Sequence, residues 1–348
     1  MTVRIGIVGC GFIGFIHSYA LHLLTEHGVV DAAVVATFDT DPERAASFAA
    51  VHGAVVCTDV DDLVDRVDAV WVCTWTAAHL DVVAAAVAGQ RAVFCEKPLA
   101  PTLPECERVA ALLDTVPHQV GLVLRSAPVF EALAEHLHGG RHGRTLAVVF
   151  RDDQFFPTQG FYASEWRADV AQAGGGCLIE HSIHDVDILR FCFGEVDSVT
   201  ARTANVAGHE GVEDVAAVTL SFASGLAAQL TSVWHDITTR GSTRRIEVFF
   251  RDGMVRLSDE FRGPLHIQTS AGKEVRKCPS PEWVDALPLA DDEIGLALRA
   301  YVEADRAFAD AVVEGRPPKP NLAEALVAHR LVDASYRSAA EDGAPVVF

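Results

Sequence analysis

Six residues limit what this chain can fold into more than any others: Gly9-Cys10-Gly11-Phe12-Ile13-Gly14, a G-x-G-x-x-G run. They follow the β-rich Val3-Arg4-Ile5-Gly6-Ile7-Val8 and lead into an apolar-periodic stretch over 14–27, the strand, turn and helix setting in which the pattern has physical meaning. Gly9 permits the tight turn, Gly11 lets the backbone approach a pyrophosphate, and Gly14 allows close helix packing. Amides of that turn, those of Phe12 and Ile13 included, then face phosphate at the positive end of a helix. An acidic ribose reader belongs at the end of the second strand, roughly 20 residues on, and Asp39 stands there after Val34-Val35-Ala36-Thr37-Phe38. Its carboxylate suits two ribose hydroxyls and repels a 2′-phosphate, and no Arg follows it immediately, so NAD is expected in preference to NADP. A bare turn is the alternative.

Short β-rich runs at 3–8, 33–38, 54–57, 68–73, 91–95 and 118–124 alternate with helical patterns near 14–27, 42–50 and 78–88. That is the rhythm of βαβ units and of a doubly wound parallel sheet. After about 124 the rhythm changes. A helix over 128–138, a strand over 145–151, a loop rich in Phe, Gly and Trp over 152–175 and one helix over 177–193 are predicted. Period-two runs across 196–269 then predict a largely antiparallel sheet, and helices near 292–314 and 322–339 close the chain. With 348 residues, half of them hydrophobic, two domains are expected, an α/β unit over 1–123 and an α+β unit over 124–348.

No run of about 20 uncharged apolar residues occurs, and the N-terminus lacks a basic flank and cleavage site. A cytoplasmic protein without a membrane partner is expected. The net charge of −20 repels a phosphate backbone and no stretch concentrates Lys and Arg, which argues against nucleic acid. Eight cysteines without a CxxC pair read as reduced, buried thiols.

Two clusters carry candidate chemistry. Cys95-Glu96-Lys97-Pro98 ends the fifth predicted strand, and strand C-termini in such a sheet open on the cofactor crevice. The chain has four lysines against 24 arginines, and burial can lower a lysine pKa enough for proton transfer; a Lys97–Glu96 pair at a strand end is the plainer account. Beyond Gly174-Gly175-Gly176, the spacing places Glu180, His184 and Asp187 on one helical face. A carboxylate beside an imidazole suits a general base for an alcohol proton. Cys177, His181 and His184 could instead ligate a metal, but no second ligand pair is recognisable and no metal is expected; a capped helix with ordinary ion pairs is the third reading.

With these motifs the chain resembles the Gfo/Idh/MocA family of oxidoreductases. The likeness rests on the glycine motif, Cys73-Thr74 followed by His79, Glu96-Lys97-Pro98, Trp166-Arg167, the triple glycine, and Ile183-His184-Asp185 followed by Asp187. It implies a Rossmann domain, then a domain whose open, mainly antiparallel sheet joins homodimers or homotetramers, with the active site in the cleft between domains. It further implies that Lys97 holds the reacting hydroxyl of a sugar or polyol and that His184 takes its proton while hydride passes to NAD. Thr74, Trp75, His79, Glu96, Lys97, Trp166 and Arg167 would line the cofactor or its edge; Lys97, Arg125, Glu180, His184, Trp234 and His235 would meet substrate, an interdomain ion pair being the alternative for Arg125. Two departures stand out. Glu180 occupies a position where inositol dehydrogenases usually carry Asp, and Trp75 one where Pro is commoner. A tightly bound NAD used transiently in a glycosidase or sugar-to-sugar oxidoreductase, and a non-catalytic NAD sensor, are the alternatives.

Overall fold

A computed structural model describes residues 2–160, 163–258, 261, 263–290, 292–315 and 319–348, the side chain of Glu293 excepted. The chain divides into two units, Met1–Val123 with Pro281–Leu326, and Leu124–Ser280 with Val327–Phe348.

In the first unit the order is β1 (Val3–Val8), α1 (Phe12–Glu26), β2 (Ala32–Phe38), α2 (Pro42–His52), β3 (Val55–Val56), α3 (Val60–Val64), β4 (Ala69–Val72), α4 (His79–Ala88), β5 (Ala92–Cys95), α5 (Leu103–Leu113) and β6 (His118–Val120). The strands form a parallel sheet in the order β3-β2-β1-β4-β5-β6. Both faces are covered, so β4 and β5 are apolar and buried at every position. Because all strands are parallel, the turns after β1, β4, β5 and β6 emerge at one edge. The order reverses between β1 and β4, the switch point where such sheets bind ligands.

The second unit runs α6 (Pro128–His138), β7 (Thr145–Phe155), α7 (Val170–Ala173), α8 (Cys177–Glu180), α9 (Ile183–Phe193), β8 (Val196–Ala204), β9 (Val215–Phe222), β10 (Ala227–His235), β11 (Thr243–Phe250), β12 (Gly253–Leu257), β13 (Leu265–Thr269) and β14 (Gly272–Arg276). The chain then forms α10 (Glu282–Asp285) and α11 (Glu293–Glu314), and closes with α12 (Leu322–Ala340) and β15 (Val346–Val347). Nine strands, β14-β13-β12-β11-β7-β10-β9-β8-β15, make one sheet, antiparallel except where β10 runs parallel to β7.

Several expected boundaries move. β7 extends to Phe155, because β10 and β11 both hydrogen-bond it that far or nearly so; the expected loop therefore starts later, and it contains α7 and a 3-10 turn, Glu165–Ala168. The strand expected over 118–124 ends at Val120 and gives way to a 3-10 turn, Val123–Ser126. The helix expected over 177–193 is two helices. Residues 281–326, placed with the second domain by the sequence reading, belong to the first unit: Leu298, Val302 and Phe308 of α11 share a core with Ile5, Ile7, Trp71 and Phe94. No helix among the described residues is long and apolar enough to cross a membrane.

Candidate functional site

The glycine turn joins β1 to α1, and each glycine has a different reason to be there. Gly9 has φ +95°, and a Cβ on it would lie 2.6 Å from the backbone carbon of Cys73. A Cβ on Gly14 would lie 2.1 Å from the Gly9 carbonyl oxygen. Gly11 is otherwise: a Cβ there meets no atom within 4 Å, so the protein's own packing does not explain the glycine. The same residue is the N-cap of α1, with no side-chain cap and no acid in the first turn, whereas α2 is capped by Asp41, which accepts from the amides of Glu43 and Arg44. An opening in front of the positive end of a 15-residue helix that has no side-chain cap fits the pyrophosphate of a dinucleotide. Asp39 adjoins the turn. Its Oδ2 accepts from the Cys10 amide at 2.7 Å and its Oδ1 from the Asp41 amide at 2.8 Å, so the carboxylate is fixed with lone pairs to spare for ribose hydroxyls. Arg44, five residues on, comes within 3.9 Å of it.

Replacing Gly11 by Ala is expected to weaken NAD binding about tenfold or more, since the methyl enters the phosphate's space, while leaving the melting temperature unchanged. Titration calorimetry and a thermal melt check this; unchanged affinity would show that the opening is not the phosphate seat.

The other residues at this edge are arranged around β4 and β5. Thr74 and Trp75 are half-buried after β4. His79, which the resemblance places along the cofactor, is 1% exposed, and its ring nitrogens lie 2.9 Å from the Pro98 carbonyl and 3.2 Å from that of Thr74. It ties the turn after β4 to the turn after β5. Glu96 is buried, and its Oε2 accepts from the Lys97 amide at 3.1 Å. Lys97 is half-buried at the end of β5.

In the second unit, the triple glycine leads into α8 under the control of Glu213. The Glu213 carboxylate accepts from the amides of Gly176 at 2.7 Å and Leu178 at 2.9 Å, which caps the helix. Ser182 then interrupts the helical run: its Oγ lies 2.6 Å from Asp152 Oδ2 on β7 and 2.6 Å from Ser232 Oγ on β10. His181 Nδ1 lies 2.8 Å from the same Asp152 oxygen, and its Nε2 accepts from Arg244 at 3.0 Å, so both its ring nitrogens are committed to protein groups. Arg244 also pairs with buried Asp185 at 2.6 Å.

The break means that Glu180 and His184 lie on different helices, and the one-face spacing argument does not hold across it. Glu180 accepts from Arg167 at 3.3 Å, and the Arg167 guanidinium stacks 4.3 Å over Trp166. Asp187 accepts two hydrogen bonds from Arg125, each 2.6 Å, so the role expected for Arg125 has an ion pair inside this unit as its setting. His184 is 7% exposed on α9. Trp234, 4% exposed, packs edge-on against Phe156 at 5.0 Å. His235 is half-buried, 3.5 Å from Asp153.

Sequence reasoning passed over His17, Asp305, Asp152, Arg244 and Glu213. The first two left a signal, a histidine and an aspartate on the apolar faces of α1 and α11; the others left none, because their partners lie tens of residues away.

Comparison with known proteins decides the lineage. The profile described as "Oxidoreductase family, NAD-binding Rossmann fold" matches residues 3–122, and that of the "GFO/IDH/MocA C-terminal domain" matches residues 130–256. This chain belongs to the Gfo/Idh/MocA family. Like the fold, the enzyme class follows: a Gfo/Idh/MocA chain with an NAD-binding Rossmann domain is an NAD-dependent oxidoreductase. An inositol 2-dehydrogenase of Rhizobium meliloti (strain 1021) is 31% identical over 98% of both chains. A 1,5-anhydro-D-fructose reductase of Ensifer adhaerens is 33% identical over 63% of this chain and 66% of its own. Among solved structures, a levoglucosan dehydrogenase in complex with NADH and levoglucosan superposes with a TM-score of 0.85 at 20% identity, covering 100% of this chain and 99% of that one, which is a likeness of fold.

Proposed function

We propose that this protein oxidises a secondary alcohol of a cyclic polyol or sugar to the ketone, or runs the reverse, with Lys97 holding the reacting hydroxyl and His184 taking its proton. The observation that carries the reading is the position of Lys97. It follows β5, two strands from β1 in the parallel sheet, so it stands at the same edge as the glycine turn, about 10 Å across by strand spacing. The names of its relatives, an inositol dehydrogenase and an anhydrofructose reductase, point to ring-borne secondary alcohols and ketones as the substrate class.

Bound NAD supplies the hydride acceptor. Amides of the glycine turn and the Asp39 carboxylate hold it, and the rest of the work falls to side chains. An ammonium beside a hydroxyl oxygen favours the alkoxide that forms as hydride leaves. Burial disfavours the charged form of a lysine, which suits a half-buried one to proton transfer. The His184 imidazole, largely removed from water, is the base that carries the proton away. Arg167 holds Glu180 in one place, so its carboxylate sets substrate orientation as a fixed acceptor.

The test is a panel of inositols, aldoses and anhydro sugars offered with NAD and with NADP, followed by NADH absorbance. Turnover with at least one cyclic polyol or sugar, faster with NAD than with NADP, is expected. Reduction of neither nucleotide by any member would sink the proposal.

A further inference from the structure

α1 carries a histidine into the core of the first unit. His17 is fully buried; its Nε2 lies 2.9 Å from Glu96 Oε1 and its Nδ1 2.8 Å from Asp305 Oδ1. Two carboxylates on two ring nitrogens call for a proton on each, so the ring is an imidazolium. Burial opposes that charge, but the charge and hydrogen bonds of Asp305, and then those of Glu96, outweigh it and push the His17 pKa up to about 10. Burial raises the Asp305 carboxyl as well, against the pull of His17. Trp71 Nε1 also donates to Asp305 Oδ1, at 2.9 Å, which favours the carboxylate and with it the proton on the ring. Phe94 and Tyr301 pack edge-on against the ring at 4.8 and 5.1 Å. Apolar side chains would hold these elements together at least as well as a buried charge, so the charge calls for a reason.

The carboxylate that His17 fixes is the one that seats Lys97. Glu96 Oε1 takes the imidazolium and Oε2 takes the Lys97 amide. On the adjoining chain, Gly121 leaves the space the carboxyl fills: a Cβ there would lie 2.4 Å from Glu96 Oε1. Ring, amide and bare backbone leave Glu96 one conformation.

We propose that His17 is a positioning residue for Lys97, acting through Glu96, and that Asp305 on α11 completes the device. The inference rests on the reading of Lys97 as the group that holds the reacting hydroxyl. It gives the cofactor helix α1, the strand that carries Lys97, and α11 a shared task. The imidazolium also offsets the negative charge of Glu96, the residue before Lys97 in the chain.

Competitive acetylation with trace acetic anhydride, read by peptide mass spectrometry, tests this without cofactor or substrate. The chain's other three lysines, Lys273, Lys277 and Lys319, are internal standards. In His17→Gln and in Asp305→Asn, Lys97 acetylation at about pH 8 is expected to fall about threefold or more, because an uncompensated Glu96 raises its pKa, while the standards hold steady. Leu21→Ala, one turn along α1 and buried, destabilises the same helix and should leave Lys97 reactivity alone. Asp305→Asn keeps the size and shape of the side chain while removing the charge that holds the second proton on His17, and decides the matter if His17→Gln does not fold. Unchanged Lys97 labelling in the folded variants, or an equal change in Leu21→Ala, overturns the inference. Loss of turnover in Lys97→Met tests the underlying reading separately, so a labelling failure with that loss intact removes only the role of His17.

Discussion

Lys97→Met is expected to lower kcat by about 10²- to 10⁴-fold, the usual contribution of a group that handles a proton in the transition state. Methionine keeps the length and apolar stem of lysine and removes only the ammonium, so packing at the end of β5 should survive. The dissociation constant for NAD should move little, because the groups that hold the dinucleotide are the glycine turn and Asp39, which is already bonded to the Cys10 amide at 2.7 Å. His184→Ala should cost turnover on the same scale. Groups that act on one proton act as a unit and are far from additive, so the double variant should be hardly slower than the slower single. Single-turnover rates and NAD titrations on all four proteins measure this. Near wild-type turnover in either single variant would remove that residue from the chemistry, and additive losses would show that the two residues work on separate steps.

How much of this was legible in the sequence depends on how far each residue's partners lie along the chain. The glycine turn, Asp39 and the run of strands through β6 are set by neighbours within one βαβ unit, and pattern reasoning finds such features. α5 went unassigned although Pro104 and Glu105 in its first turn are start signals of the kind that identify a helix. The division of the expected long helix into α8 and α9 is another matter. Ile183-His184-Asp185-Val186 reads as a continuation, and what interrupts it is Ser182 bonding to Asp152, 30 residues back, and lying against Ser232, 50 residues ahead. The pairs of His17 with Glu96 and Asp305 span 79 and 288 residues, and the return of α11 to the first core follows from its apolar face finding β1, β4 and β5. Periodicity reports which face of an element is apolar and says nothing about which core receives it. Candidate side chains were therefore legible as types and positions, while their hydrogen-bond partners were not.

Gly176→Ala is expected to be the most destabilising single substitution in the second unit. The reason is backbone against backbone: a Cβ on Gly176 would lie 1.8 Å from the Glu213 carbonyl oxygen and 2.6 Å from its nitrogen. Such a clash is relieved only by moving one strand of chain away from the other. Glu213 resists moving, because its carbonyl accepts from the Cys177 amide at 2.9 Å and its carboxylate caps α8 through Gly176 and Leu178 while accepting from the Tyr336 hydroxyl at 2.9 Å. A shift of Gly176 therefore strands a buried carboxylate and several amides together, a loss of about 4 kcal/mol or more, since each unpaired buried group costs about 1–3 kcal/mol. Gly175 offers the contrast: there the nearest atom to a Cβ is the Tyr336 hydroxyl at 2.5 Å, the end of a side chain and not backbone, so Gly175→Ala should cost less. Thermal and urea melts of the two variants decide it. If Gly176→Ala melts with the wild type or above Gly175→Ala, Glu213 does not hold the entrance to α8 as described, and the route by which the triple glycine presents Glu180 and the helix of His184 has to be drawn again.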